Sequence, residues 1–367
     1  MSKKKRKGAG HSKISQPYAD RVARVRAEMA RKRLDGYLVL NRMDQIWLTG
    51  FTGEDGGVLV TPKTVVLLTD GRFDEAAGIE APYARKVLRK KRTPDVNVRE
   101  FKRHKVTRLG FDPGHMTVAD FGQYRKFAKP IKLVSLSGLI LQMRNAKDGG
   151  EVAAIRRAIR VAERAFQRLQ KWIRPGVTER DVAAKLEYEM ARLGSQGVSF
   201  PTIVAAGPNA SLPHYEPGDR KVSKQEGILI DWGARVGWYC SDLTRMIWPG
   251  SIPRRLAKVY DVVREAHDRG IAAVKPGVTA EAVDRAARRC IVKAGYGPRF
   301  NHALGHGMGL DVHEAPRVGK GTKDVLKPGT VITIEPGVYL PGVGGVRLED
   351  DALVTETGCE VLSSLPL

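Results

Sequence analysis

The chain has 367 residues and a formal net charge of +23, with 42% hydrophobic and 28% charged residues. This length allows two ordinary domains, and the composition is typical of a folded protein rather than a disordered one. No apolar run reaches the roughly 18 residues of a membrane-spanning helix, and no apolar stretch of a secretory signal follows the basic N-terminus. The three cysteines lie far apart, so we expect reduced thiols and a cytoplasmic location.

The excess positive charge lies in the front of the chain. Through Lys147 there are 32 Lys+Arg against 14 Asp+Glu, a balance of +18, and the remainder has 31 against 26, a balance of +5. Such a surface can bind nucleic acid through its phosphates, or it can be a solvated basic face with a frayed tail at 1–16. Because no zinc-finger, KH or RNP-type signature occurs, we favour the solvated face and expect no nucleic-acid partner.

Residues 17–147 predict a small α/β domain. Val22, Val25 and Met29 recur at helical spacing, and short apolar runs bounded by turn signals follow. The predicted strands are 37–40, 58–60, 65–68 and 131–134, and the predicted helices are 18–33, 74–79, 118–127 and 136–143.

A polar, glycine-containing segment at 145–150 predicts a linker before a second domain at 148–367. A long helical pattern over 152–169 follows it. The tetrapeptide Pro-Gly-Val-Thr occurs at 175–178 and again at 276–279, each time before a predicted helix that the threonine caps. This repeat predicts an internally duplicated domain with a pseudo-twofold axis.

Two aspartates, Asp231 and Asp242, each occur within an apolar run that is typical of a core strand. Their spacing, with two glycines between them, fits a β-hairpin whose strands place the two side chains directly opposite, with Cβ atoms about 5 Å apart. Facing carboxylates repel each other unless a proton or cation lies between them. The pair therefore predicts a cation site, against the alternative of one helix cap and one exposed aspartate.

Three of the eight histidines, His302, His306 and His313, fall within twelve positions and are interleaved with glycines that allow tight turns. Further along, Glu335 ends a β-branched strand, and Glu349 lies two residues after Arg347 on another strand. This grouping predicts a site rather than isolated structural histidines.

Four carboxylates and one imidazole form a hard, oxygen-rich ligand set that suits Mn²⁺, with Co²⁺ or Zn²⁺ as alternatives. Four carboxylates also balance two divalent ions, which such sites hold about 3.5–4 Å apart around an activated water. The sequence therefore predicts a hydrolytic two-metal centre.

The ordered series Asp231, Asp242, His306, Glu335 and Glu349 resembles the pita-bread metallopeptidases, which comprise aminopeptidase P, prolidase and methionine aminopeptidase. The segments 48–53 and 68–72 resemble the N-terminal domain of aminopeptidase P and prolidase, which methionine aminopeptidases lack. The resemblance covers nearly the whole chain. It implies an α/β N-terminal domain followed by an α+β, duplicated pita-bread catalytic domain.

The resemblance also implies a role for each ligand. Asp231 would bind one metal with both oxygens, His306 would complete the other, and Asp242 and Glu349 would bridge the pair. Glu335 would be both a ligand and a proton shuttle.

Four further residues match substrate-side positions of the family. His214 would contact the substrate, and His313 would donate to the scissile carbonyl oxygen. His302 and Arg347 would line the proline side of the pocket.

The function that the resemblance implies is hydrolysis of the bond before proline. Our main expectation is an aminopeptidase that releases the first residue of X-Pro peptides, because its motifs match best, with an X-Pro dipeptidase as the alternative. A non-catalytic peptide- or nucleic-acid-binding protein on the same fold is a more distant alternative, because a site without catalytic activity does not require four buried carboxylates. The resemblance further implies a homodimer.

Overall fold

The computed structural model describes residues 16–89 and 94–367, and the chain divides into two compact units between Met143 and Arg144. The predicted tail at 1–16 lies outside the described residues except for its last position. No helix in the described ranges is long and apolar enough to cross a lipid bilayer.

The first unit is built on a six-stranded sheet with the strand order β4-β3-β2-β1-β5-β6. Its strands are β1 (Gly36–Val39), β2 (Gly56–Val60), β3 (Val65–Asp70), β4 (Arg85–Arg89), β5 (Arg108–Phe111) and β6 (Lys132–Ser135). Its helices are α1 (Tyr18–Arg31), α2 (Arg42–Thr49), α3 (Asp74–Glu80), α4 (Pro94–Arg103), α5 (Val118–Phe127) and α6 (Leu139–Arg144), which spans the division.

Local sequence signals explain the helix ends in this unit. The side chain of Asn41 accepts a hydrogen bond from the Asp44 amide at the start of α2, and Gly50 ends that helix at a φ of +79°. The helix predicted at 136–143 begins three residues later. Gly138, at a φ of +64°, separates β6 from α6, so the helical backbone cannot start at residue 136.

The second unit contains the remaining helices and four small sheets. The helices are α7 (Gly149–Gln170), α8 (Glu179–Arg192), α9 (Arg254–Ala273) and α10 (Ala280–Lys293). The first strands are β7 (Ile203–Ala206), β8 (Ile228–Trp232), β9 (Arg235–Val236), β10 (Tyr239–Cys240) and β11 (Leu243–Ile247). The others are β12 (Gly305–Gly307), β13 (Glu314–Val318), β14 (Val331–Ile334), β15 (Gly337–Leu340), β16 (Gly344–Arg347), β17 (Asp350–Val354) and β18 (Cys359–Val361).

Two of these sheets carry the candidate site. They have the strand orders β11-β8-β7 and β13-β12-β14-β17-β18, and the pairs β9-β10 and β15-β16 stand beside them. Two apolar clusters lie under the sheets, one built from α7 and α8 and the other from α9 and α10.

The two Pro-Gly-Val-Thr segments have the same local structure. Thr178 caps α8 and Thr279 caps α10, each by accepting a hydrogen bond from a backbone amide of the first turn. The glycine before each cap has positive φ, +96° at Gly176 and +82° at Gly277.

The same segments also pair with equivalent later segments. Thr178 forms an isolated antiparallel bridge with Lys221, and Thr279 forms one with Val325. A core strand follows soon after each bridge, β8 in the first half and β14 in the second. The predicted duplication is therefore visible in matched backbone contacts.

The segment at 145–150 is not a loose linker. Asp148 caps α7 in a reciprocal capping box with Glu151, and the Lys147 amide donates to the Gly329 carbonyl. The predicted linker therefore contains a backbone bridge, from Ala146 to Thr330, and the start of a helix.

Glu179, directly after the first Pro-Gly-Val-Thr segment, connects that segment to the loop that carries His214. Its fully buried carboxylate accepts from the amides of Ala206 and Gly218, at 2.7 and 3.1 Å. It also accepts from Asn209 Nδ2 and the Tyr215 hydroxyl, both at 2.9 Å. The side chain therefore organises residues 206–218.

We predict that Glu179→Ala lowers the free energy of unfolding of the second unit by about 2–4 kcal/mol, because one buried and three half-buried donors lose their acceptor. Denaturant unfolding followed by tryptophan fluorescence measures this. Glu187→Ala, an exposed glutamate on the same helix, is the matched control and should change the value by less than about 0.5 kcal/mol. Equal stability of the two variants would contradict the role given to Glu179.

Candidate metal centre

Asp231 and Asp242 lie on one antiparallel pair, but they are not directly opposite. In the β8–β11 register Asp231 faces Thr244, and Trp232 faces Leu243. The predicted pairing was therefore wrong by two residues, because β9 and β10 pair around a tight turn at Gly237 and Trp238. This turn centres the hairpin one residue later than a direct Asp231–Asp242 pairing requires. A shift of two residues preserves the face of each side chain, so both carboxylates still line one cavity.

The other three predicted ligands reach this cavity from the second half of the unit. His306 lies in β12, and Glu335 directly follows β14. Glu349 precedes β17, and its amide donates to the Thr244 carbonyl at 3.2 Å. That bond joins the two sheets, and all five residues line a cavity of about 680 Å³.

The ligand atoms are close enough for shared coordination. His306 Nε2 is 3.6 Å from Asp242 Oδ2 and 3.6 Å from Glu335 Oε1. Suitable atoms of Asp242, His306 and Glu349 all lie within 4.8 Å of one another. The Oδ1 atom of Asp231 is buried and has no hydrogen-bond partner among the described residues. Buried polar atoms normally have partners, so this one marks room for a ligand.

The electrostatics of the cluster also fit a cation. Burial, followed by repulsion from neighbouring carboxylates, raises the pKa of both Asp242 and Glu349 well above their usual values. Burial also raises the pKa of Asp231, and that of Glu335 to about 8. Divalent ions would supply the opposite charge that this cluster of four carboxylates requires.

His306 is oriented as a neutral ligand. Its Nδ1 is 3.1 Å from the Gly307 carbonyl, so Nδ1–H donates and the lone pair of Nε2 points to the carboxylates. Burial lowers the pKa of this imidazole to about 4, which keeps it unprotonated near neutral pH. The residues present therefore fit a carboxylate-rich metal site.

Arg347 is buried behind Asp231. Its guanidinium donates to Asp231 Oδ2 at 2.5 Å, to the Tyr339 hydroxyl at 2.9 Å and to the Pro213 carbonyl at 3.3 Å. Its Nε donates to Thr244 Oγ1 at 3.1 Å. These contacts orient Asp231, a predicted metal ligand, and use most of the N–H donors of Arg347. The sequence analysis assigned Arg347 to substrate binding.

The three remaining histidines have different surroundings. His302 lies 3.0 Å from the Tyr339 hydroxyl through Nε2 and 2.7 Å from the Ala303 carbonyl through Nδ1, so both ring nitrogens are engaged. His214 and His313 line the cavity and are exposed. The His313 ring centroid lies 4.2 Å from that of His306, next to the predicted ligands.

Sequence reasoning missed three contributors to this cavity. Thr244 donates to Glu349 Oε2 at 2.7 Å, and Tyr339 links Arg347 to His302. Arg317 adds an exposed cation to the lining. Thr244 could have been found from its position two residues after Asp242, on the same strand face. Tyr339 and Arg317 have no comparable signal.

Comparison with known proteins places this geometry in a family. The sequence matches metallopeptidase family M24 over residues 153–356 and the creatinase/prolidase N-terminal domain over residues 21–146. It is 33% identical over 353 residues to a Xaa-Pro dipeptidase from Pyrococcus horikoshii, covering 94% of this chain and 97% of that protein.

Solved structures agree with this result. A Xaa-Pro dipeptidase from Bacillus anthracis is similar with a TM-score of 0.92 and 34% identity, covering 95% of this chain and 98% of that one. An X-Pro aminopeptidase from Thermotoga maritima has a TM-score of 0.87 and 35% identity, with coverage of 92% and 98%. The predicted fold class and the prediction of a metallopeptidase are confirmed. Since the first match spans more than half of the sequence, this chain belongs to metallopeptidase family M24.

Proposed function

We propose that this protein is a two-metal Xaa-Pro dipeptidase. The observation that carries the proposal is the group of four carboxylates, three buried and one half-buried, and one neutral imidazole around a single cavity. Named relatives favour the dipeptidase alternative over the aminopeptidase that the sequence motifs favoured, since two curated relatives, from Pyrococcus horikoshii and Pyrococcus furiosus, are named Xaa-Pro dipeptidases.

In this proposal Asp231, Asp242, His306, Glu335 and Glu349 hold two divalent ions, most simply Mn²⁺. When bound, the ions supply an activated water and polarise the scissile carbonyl. Asp242 and Glu349 lie centrally in the cluster, which suits a bridging role. Arg347 and Thr244 hold Asp231 and Glu349 in place through the hydrogen bonds described above.

The remaining groups act on the peptide itself. Glu335 accepts a proton from the attacking water and returns it to the proline nitrogen as the C–N bond breaks. His313, exposed beside His306, donates to the carbonyl oxygen as negative charge develops there. His214 contacts the substrate at the open side, and His302 lines the proline side together with Tyr339.

Arg317 gives a physical basis for the preference for dipeptides. Its exposed guanidinium lines the cavity and pairs with no carboxylate of the described residues; its NH1 donates to the Lys320 carbonyl at 3.3 Å. The free carboxylate of an X-Pro dipeptide can pair with such a cation. An X-Pro-Y peptide has a neutral amide at that place. A homodimer and a cytoplasmic location belong to the same proposal, and light scattering at micromolar concentration tests the dimer.

The activity itself can be tested directly. After chelation and dialysis, we expect added Mn²⁺, Co²⁺ or Zn²⁺ to restore hydrolysis of X-Pro dipeptides, with X-Pro-Y tripeptides cleaved more slowly. Release of free proline measures the first reaction, and chromatography of the products measures the second. Faster cleavage of tripeptides would favour the aminopeptidase, and no hydrolysis with any metal would favour a binding protein.

Two variants separate metal binding from carbonyl activation. Glu349→Ala should lose metal and activity together, because a central carboxylate is removed. His313→Ala should retain metal while kcat falls about 10²–10³-fold, as for the loss of one oxyanion donor. Elemental analysis and steady-state kinetics measure both effects. Glu356→Ala, an exposed glutamate in the same unit, should change neither quantity. Metal depletion in His313→Ala would show that the two roles are wrongly divided.

Arg317→Gln should raise KM for X-Pro dipeptides about tenfold and leave KM for X-Pro amides nearly unchanged, since only the former carry the free carboxylate. Steady-state kinetics on matched dipeptide and amide substrates measure the difference. Arg299→Gln removes an exposed cation that is not part of the cavity lining and is the control. Equal effects on both substrate types would remove Arg317 from the recognition of the carboxylate.

A further inference from the structure

One end of the first unit collects cations from several elements. In its sheet β1, β3, β4, β5 and β6 run in one direction, and β2 runs in the opposite direction. Because α1, α4 and α5 lead into β1, β5 and β6, the carboxyl ends of these helices gather where those strands begin. The turn from β2 to β3 lies at the same edge, since β2 ends there.

We call this edge the basic pole. Six exposed cations lie on it in turns or at strand ends: Lys32, Arg33, Lys63, Lys105, Lys129 and Lys132. None of the six forms an ion pair with another described residue. Cations in a last helical turn stabilise the helix dipole, but these six lie outside the helices, so that role does not account for the whole group.

The acidic groups at the basic pole are already engaged. Glu28 pairs with Arg31 at 2.6 Å, and Glu100 pairs with Arg85. Asp35 accepts hydrogen bonds from the backbone amides of residues 107 and 108, at 3.0 and 2.8 Å. The six cations are therefore left to interact with solvent or with a partner.

Two of the six cations have an unusual backbone conformation. Arg33 and Lys105 both have a φ of +55°, in the left-handed region that favours glycine. Each directly precedes the residue whose amide closes the helix end, Leu34 onto the Met29 carbonyl at 2.8 Å and Val106 onto the Phe101 carbonyl at 2.9 Å.

Glycine occupies the corresponding left-handed position at three other helix ends of this chain. These are Gly50 after α2, Gly194 after α8 and Gly295 after α10, with φ values of +79°, +97° and +88°. At the basic pole, Arg33 and Lys105 occupy this position, where glycine would remove the strain of a positive φ. Their charge therefore has a use other than stabilising the helix end.

We propose that the basic pole binds the phosphate backbone of double-stranded nucleic acid without reading its sequence. Strands lie about 4.8 Å apart, so an edge of six strands extends roughly 24 Å. A duplex carries one negative charge per about 1.7 Å of its axis, so this edge faces a dense line of phosphates. The placement of the charges changes the expectation from sequence, which took the basic excess as a solvated face.

Other anionic partners fit the basic pole less well. Its exposed large apolar side chain is Phe127, 41% exposed, with Lys126 Nζ 5.5 Å from the ring centroid. Surfaces that lie on membranes usually insert several apolar side chains, and single-stranded nucleic acid is usually held by stacking on several aromatic rings. A surface of cations with one ring suits a duplex backbone better.

The test uses the full chain and the double variant Arg33→Gly/Lys105→Gly. Fluorescence anisotropy with labelled 30-base-pair DNA and RNA duplexes gives the affinity over a range of salt concentrations. We expect the slope of log K against log salt to become shallower by about 2, and the affinity at 50 mM salt to fall about tenfold or more. The thermal midpoint should equal or exceed that of the parent chain, because glycine is favoured at both positions.

The control is Arg254→Gln/Arg255→Gln, which removes two exposed cations at the start of α9 and changes the net charge equally. It should leave duplex binding within twofold of the parent chain, and X-Pro hydrolysis should be unchanged in both double variants. Equal losses of affinity in the two would overturn the proposal, since net charge alone would then explain binding. Unchanged binding by the Arg33/Lys105 variant, or tighter binding to phosphatidylserine vesicles than to duplexes, would overturn it as well.

Discussion

The second unit depends on one electrostatic constraint, the gathering of four carboxylates, three of them buried, around a single cavity. Asp231, Asp242 and Glu349 are 8% exposed or less, and the pKa of each is raised by burial. Such a group is stable in its charged form only with compensating positive charge. Arg347 compensates one side of Asp231, and the remaining negative charge is what makes the cavity suitable for divalent ions.

The duplicated fold meets this constraint by bringing two halves together. The first half contributes Asp231 and Asp242 from the β8–β11 pair, and the second contributes His306, Glu335 and Glu349 from the sheet around β14. The halves are joined at the backbone by the bridge between Thr244 and Glu349. A site assembled in this way requires both halves to be folded, so metal binding and folding of the unit are coupled.

The polar side chains around the cavity are of two kinds, buried and exposed. Arg347 and Thr244 are buried and donate to Asp231 and Glu349, and the buried Tyr339 connects Arg347 to His302, so these groups are held in place before substrate binds. His214, His313 and Arg317 line the same cavity but are exposed, so they can meet a peptide. The hydrogen bonds of Arg347 favour a role in holding Asp231, and its place in the cavity lining leaves its predicted role toward the substrate as a prediction.

The sequence by itself determined the class of fold, the duplication and nine residues that line the cavity, but not Arg317. Apolar runs, capping threonines and carboxylates placed within core strands are local signals, and local physical chemistry is enough to interpret them. The tertiary structure decided the β8–β11 register, the partners of Arg347, and the collection of cations from distant segments into one basic pole. These features depend on which strands pair and in what direction. That choice is made by long-range packing, which no single segment of the sequence records.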